Sequence, residues 1–171
     1  MSGHRPEHAD TVQAVSLVRR YNKNQDMNEA RGLEGLDQRF VATNGGVSPS
    51  QLLWLEDTIR TCRLKGKRAL VASHLPIHPS VAEADSLAWN SEEILKVVHG
   101  PSAAGRPVVA AVLSGHDRGG YCRDEQGVHH VVVEALVECC PPLNAYGILE
   151  VHADKLVLQG TGVASSYTMT L

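Results

Sequence analysis

Aromatic side chains are scarce in this chain, with one Phe, two Trp and four Tyr in 171 residues. Its core must therefore be aliphatic, and a Val-rich core favours strands because β-branched side chains fit a pleated surface. Basic excess is also missing. Sixteen Lys and Arg face nineteen Asp and Glu, a net charge of -3. Nucleic acid or an anionic membrane would find no attracting field. No apolar run approaches the ~20 residues of a membrane span, and the first twenty residues are polar. Neither an anchor nor a signal peptide is expected, and the cytoplasm is the default location. C-x-x-C spacing is absent among Cys62, Cys122, Cys139 and Cys140, which fits a reducing compartment better than a disulfide scaffold. A zinc site from Cys139–Cys140 with His129–His130 is disfavoured, since vicinal residues on a strand point to opposite faces.

What is present is ordinary for one globular domain, 43% hydrophobic and 20% charged. Residues 1–40 are polar and weakly patterned, with one or two helical turns expected at Val12, Val15 and Val18. They are read as a weakly structured segment preceding a domain over 41–171. Ser48-Pro49-Ser50-Gln51 is a helix start. Ser48 caps, Pro49 occupies the first position where its missing N–H is harmless, and Gln51 closes a capping box. Leu52, Leu55, Ile59 and Cys62 line one face, and Lys65-Gly66-Lys67 ends it. Ala69–Ala72 and Val108–Leu113 are unbroken apolar runs, read as strands covered on both faces. A second helix is expected over Glu92–His99, capped by Ser91 or Asn90, then a strand over Val128–Val133 and a hairpin pairing Tyr146–Val151 with Lys155–Gln159. This order predicts an α/β fold with a mixed sheet.

His74 and His116 each follow the carboxyl end of an apolar strand, the edge where open α/β sheets assemble ligand sites. Neutral imidazoles on rigid strand ends suit a divalent metal. His78 is separated from His74 by Pro76, which argues against a helical ligand pair; it is read as supporting or surface. Glu134 and Glu138 are read as solvated charges, and His152 as a surface turn residue.

An ordered set of short motifs then becomes recognisable. Ser73-His74-Leu75-Pro76, Leu87-Ala88-Trp89-Asn90 and Ser114-Gly115-His116-Asp117 lead into Gly119-Gly120-Tyr121. Gly127-Val128-His129-His130, Glu134-Ala135 and Tyr146-Gly147 follow. Together with Asn44-Gly45-Gly46-Val47 upstream, they resemble the manganese-dependent ADP-ribose/CDP-alcohol diphosphatases of the calcineurin-like metallophosphoesterase superfamily. The resemblance runs from about residue 26 onward. It implies the carboxyl half of a metallophosphoesterase sandwich, a mixed sheet with flanking helices and a C-terminal β-hairpin. It also implies hydrolysis of a nucleoside diphosphate-linked small molecule by a metal pair. By motif match, His74 and His116 are ligands of one metal, manganese in the family. Asn90, Gly119, Gly120 and Tyr121 are substrate-facing candidates, although Trp89, Asn90 and Tyr121 could equally pack a loop.

Two departures qualify the match. The Asp-x-His, Gly-Asp and Gly-Asn-His-Glu/Asp motifs of the family's amino half are absent, and with them the bridging aspartate and catalytic histidine. The Gly-His-x-His motif reads Gly115-His116-Asp117-Arg118 here, without its second histidine. No catalytic residue is assigned, and metal binding is expected to be weak or absent. The chain alone is expected to be inactive, and to self-associate or pair with a complementary N-terminal half. The alternative is a non-catalytic nucleotide-binding or protein-interaction module.

Overall fold

A computed structural model describes residues 9–100, 102–103 and 105–171, and the side chains among them except those of 102, 103 and 138. Three helices, α1 (Ala9–Tyr21), α2 (Pro49–Leu64) and α3 (Ser91–His99), accompany two principal sheets. The first sheet holds β1 (Ala69–Ala72), β4 (Val109–Ser114), β6 (His129–Val132) and β5 (Gly120–Arg123), in that spatial order. A two-stranded ribbon of β2 (Ser102–Ala103) and β3 (Arg106–Pro107) precedes β4. The second sheet is antiparallel, with β7 (Ala145–Val151), β8 (Lys155–Gly162) and β9 (Tyr167–Thr170).

Helix α2 begins as its sequence dictates. Ser48 accepts from the Gln51 N–H while the Gln51 side chain accepts from the Ser48 N–H, and Pro49 opens the helix. Helix α3 is capped at Asn90 without a side-chain hydrogen bond. Both helices cover one face of the first sheet, where Ile59, Ile94 and Val98 meet Val109, Val112 and Val128. On the other face, Ala110, Ala111 and Val131 pack against Leu156, Leu158 and Met169 of the second sheet. The result is a helical layer, then two sheets face to face. This is the metallophosphoesterase sandwich architecture, with mixed sheet and terminal antiparallel strands as the resemblance implied.

Strand β4 is central. It pairs in parallel with β1 on one side and β6 on the other, and its residues are almost continuously buried. Strand β1 departs from expectation. Among the described residues it pairs with β4 alone and alternates in exposure, with Leu70 43% exposed, so only one of its faces is covered. Its short apolar run is that of an edge strand lacking a neighbour. Further strands escape the sequence reading. Beside the short β2–β3 ribbon, strand β5 lies in a stretch to which that reading assigns no element, and β9 extends the expected hairpin to three strands.

Residues 1–8 of the polar amino-terminal segment lie outside the described structure. From Ala9 the chain forms a 13-residue helix, longer than the one or two turns expected. Val18 packs with Phe40 and Trp89, and Tyr21 stacks on the Phe40 ring at 3.9 Å. Arg39 is nearly buried and donates from Nη1 and Nη2 to the two Glu92 carboxylate oxygens at 3.1 and 3.2 Å, tying this segment to α3.

Ile59 is the α2 side chain buried most completely beneath the first sheet. Ile59→Ala should destabilise the chain by about 2–5 kcal/mol through lost burial and the cavity left behind, read from denaturant midpoints at unchanged slope.

Candidate metal centre

The parallel pairing of β1 with β4 decides where the two predicted histidines sit. Both strands end at the same edge, and the ladder continues past them. Ser73 N–H donates to the Leu113 carbonyl and Gly115 N–H to the His74 carbonyl, each at 3.0 Å. His74 and His116 are thereby brought together, with His116 Nδ1 3.1 Å from His74 Nε2 and the rings edge to face at 4.9 Å. His116 has φ of +69°, a left-handed conformation that costs a non-glycine residue about 1–2 kcal/mol. Such strain concentrates at functional sites, where surrounding structure enforces it.

Asn44 completes this arrangement, and the sequence reading names it only within the Asn44-Gly45-Gly46-Val47 motif. Its side chain is buried, and Nδ2 donates to the carbonyls of Arg39, Asp85 and Leu87. That fixes Oδ1 as the acceptor facing His116 Nε2 at 3.0 Å. In neutral His116 the proton therefore resides on Nε2, and Nδ1 offers its lone pair toward His74. A buried Asn immediately before Gly45-Gly46 is the signal that could have identified it.

The fit to a metal ion is partial. Ring nitrogens 3.1 Å apart match two adjacent ligands at about 2.1 Å from one ion. Among the described residues, no third His, Cys, Asp or Glu donor joins the pair. Asp117 turns away, with its carboxylate accepting from the Glu83 and Arg118 N–H groups.

The other expected residues divide. Asn90 is held by reciprocal bonds with the Val47 backbone, and it also donates to Glu93. With Trp89, Gly45 and Gly46 it lines an open cavity of about 660 Å³ beside α1. Gly119, Gly120 and Tyr121 lie away from that cavity. An added Cβ at Gly120 would sit 2.3 Å from the Val81 carbonyl oxygen, so close backbone packing requires glycine there. Tyr121 stacks on Tyr167 and its hydroxyl meets His129 Nδ1 at 3.0 Å. Trp89 is buried and donates to the Val41 carbonyl. Glu134 accepts from the N–H and hydroxyl of Ser165, while the Glu138 side chain lies outside the described residues. His152 pairs with Glu150 on the surface.

A second cluster forms where the sequence reading assigned no site. His129 and His130 do face opposite sides of β6. His129 meets Tyr121 and the Thr170 carbonyl, while His130 joins Asp124, His99, His78 and Cys122. His99 Nε2 and His130 Nε2 both donate to Asp124 Oδ2 at 2.8 Å, and the Val128 N–H donates to Oδ1. The His78 ring lies 4.6 Å from that of His130, and Cys122 Sγ is 3.5 Å from His78 Nδ1. Burial pushes His130 down to about 4 against the pull of Asp124. Burial also pushes the Cys122 thiol up to about 11. Burial opposes ionisation of Asp124, yet hydrogen bonds from His130, the Val128 N–H and His99 hold its carboxyl below the ordinary value. A neutral His130 imidazole beside an ionised Asp124 carboxylate is the consistent reading.

No protein-family model matches the chain. Individual proteins do. The architecture, two sheets face to face with histidines at parallel strand ends, is that of the calcineurin-like metallophosphoesterases. A similar solved structure is a dimetal phosphatase from Danio rerio, 34% identical, with a TM-score of 0.90 over 98% of this chain and 52% of that one. The chain is a homologue of the manganese-dependent ADP-ribose/CDP-alcohol diphosphatases. It is 38% identical to that of Arabidopsis thaliana over 156 residues, 91% of this chain and 49% of the relative. To that of Homo sapiens it is 34% identical over 151 residues, 88% and 42% respectively. It thus spans about half the length of the relatives it matches.

The His130 pKa carries a sign. Between the ordinary 6.5 and about 4, the unfolded chain takes up a proton that the fold refuses. Stability is therefore full above 6.5 and falls as pH drops through that window, by up to about 3 kcal/mol. Asp124 adds further loss below its ordinary 3.8. Denaturant midpoints measured between pH 7 and pH 4 in chelator should trace this decline, and a flat profile would contradict it.

Proposed function

We propose that this chain provides the carboxyl half of a dimetal phosphoesterase centre, with His74 and His116 holding one of its ions. The observation carrying this reading is the 3.1 Å approach of two ring nitrogens from parallel strand ends. The ion, manganese by the names of the relatives, would supply Lewis-acid stabilisation of phosphoryl charge and an activated water. The chain's own residues do the positioning. Asn44 orients His116 through Nε2, and the β1–β4 ladder holds the two imidazoles in register. Asn90, Gly119, Gly120 and Tyr121 are the proposed substrate-facing residues, and the cavity beside Asn90 supports only the first of these. The substrate class is a nucleoside diphosphate-linked small molecule, following the ADP-ribose and CDP-alcohol in the relatives' name.

Two imidazoles without a carboxylate bring no charge to offset a dication, and catalytic divalent sites need more protein ligands than this. The remaining ligands belong, on this proposal, to a complementary half of the same fold. The exposed edge of β1 and the outward Leu53, Trp54 and Leu64 of α2 support it. An unpaired edge beside apolar surface invites a covering partner, or self-association in its absence. Free thiols at all four cysteines agree with a cytoplasmic setting. No helix among the described residues is long and apolar enough to cross a membrane.

The purified chain with manganese should show no turnover of ADP-ribose or CDP-choline. Chelator-sensitive hydrolysis restored by manganese would overturn the half-site reading. Light scattering at micromolar concentration should show self-association; a monomer would count against the uncovered edge. Mixing with the amino half of a relative should yield hydrolysis that His116→Ala abolishes.

A further inference from the structure

The cluster around Asp124 is separate from His74 and His116 and plays no part in the proposed phosphoesterase chemistry. Three of the chain's nine histidines, one Asp and one Cys meet there. The fold delivers them from four places. His78 comes from the segment after β1, and His99 from the last turn of α3. Cys122 and His130 come from directly opposed positions of β5 and β6, and Asp124 from the turn joining those strands. Cys122 and Asp124 are two apart and so share a face, the face carrying His130.

The donor atoms of His78, Asp124 and His130 all lie within 4.8 Å of one another. The Cys122 sulfur lies beside this group, 3.5 Å from His78 Nδ1. His130 is 1% exposed and would bind through Nε2, the nitrogen that faces Asp124 at 2.8 Å, with its proton moved to Nδ1.

We propose that His78, Cys122, Asp124 and His130 form a structural zinc site. The donor set is two imidazole nitrogens, one carboxylate oxygen and one thiolate sulfur, the mixture that zinc prefers in tetrahedral coordination. Zinc uptake removes the proton from the Cys122 thiol to solvent. The thiolate and the Asp124 carboxylate then neutralise the dication, so the buried site carries no net charge. His99 retains its hydrogen bond to the Asp124 carboxylate and orients it from outside the coordination sphere. Closing the sphere needs donor separations of roughly 3.3–3.8 Å, so donors as far as 4.8 Å apart must draw together and the 2.8 Å His130–Asp124 pair must open. Four protein ligands leave no open position, so the ion is a staple joining this segment to the β5–β6 hairpin.

The test uses the whole chain, stripped with chelator and reloaded with zinc or cobalt alone. One zinc per chain should survive desalting and raise the melting temperature. Cobalt loading should give thiolate-to-metal charge-transfer absorption. C122S should lose that absorption, and C122S and D124N should each weaken zinc binding by about 10–100-fold while keeping the native circular dichroism spectrum. The H74A/H116A double variant should bind the same single zinc. Absence of bound zinc from the unmodified chain, undiminished affinity in C122S, or loss of zinc in H74A/H116A each overturns the proposal.

Discussion

Parallel pairing on both sides of β4 is the constraint on which the rest of this molecule depends. Parallel strands align their carboxyl ends, so residues leaving β1 and β4 meet at one edge irrespective of the 42 positions separating them. That is why a histidine after each strand becomes a pair in space. It is also why His116 tolerates a left-handed backbone, since its neighbours are tied to His74 and to the end of β6 by backbone hydrogen bonds. Gly115 N–H reaches the His74 carbonyl, and Val133 N–H the Ser114 carbonyl. Asn44 then turns an arrangement of backbones into a chosen tautomer. Its three carbonyl contacts leave its own oxygen no orientation except toward His116.

The same sheet leaves strand β1 at an uncovered edge among the described residues. Strand β4 is covered by helices on one face, by the second sheet on the other, and by neighbours along both edges. Strand β1 has a neighbour along one edge only. An apolar strand of four residues, half exposed, is a poor terminus for a sheet, because edges in native proteins are shortened, charged or covered. Here the edge ends are Arg68 and Ser73, but Ala69–Ala72 offers no charge of its own. Length coverage of about half in both the solved dimetal phosphatase and the Arabidopsis relative agrees with this geometry.

Sequence legibility followed the locality of the physics. Helix α2 is readable because Ser48, Pro49 and Gln51 carry its start within four residues, strand β4 because its apolar run is continuous, and β6 because it is rich in Val. The two-sided burial expected of β1 fails because a short run of Ala, Leu and Val reads the same at an edge as in the interior. Only the pairing partner distinguishes them. Strand β5 hides for a similar reason. Gly120-Tyr121-Cys122-Arg123 has neither a continuous apolar run nor strong alternation, and it is held by antiparallel pairing to β6. His74 and His116 could be singled out by their place after strands, whereas Asn44 and Asp124 act through contacts between distant segments. Their spacing in sequence contains no trace of that.

The two histidine clusters lie toward opposite ends of the parallel strands. His116 sits in the turn leaving β4, whereas Asp124 belongs to the turn that enters β6. Residues 74–78 connect them. The His74 carbonyl accepts from Gly115, the Pro76 carbonyl from Ala88, and Ile77 is buried in the core against α3. His74 is therefore fixed at one end of this segment and His78 at the other, with an immobilised side chain between. A proline in the middle removes a backbone donor and holds φ near −65°, so the segment cannot coil into a helix that would bring both histidines onto one face. It spans the sheet instead.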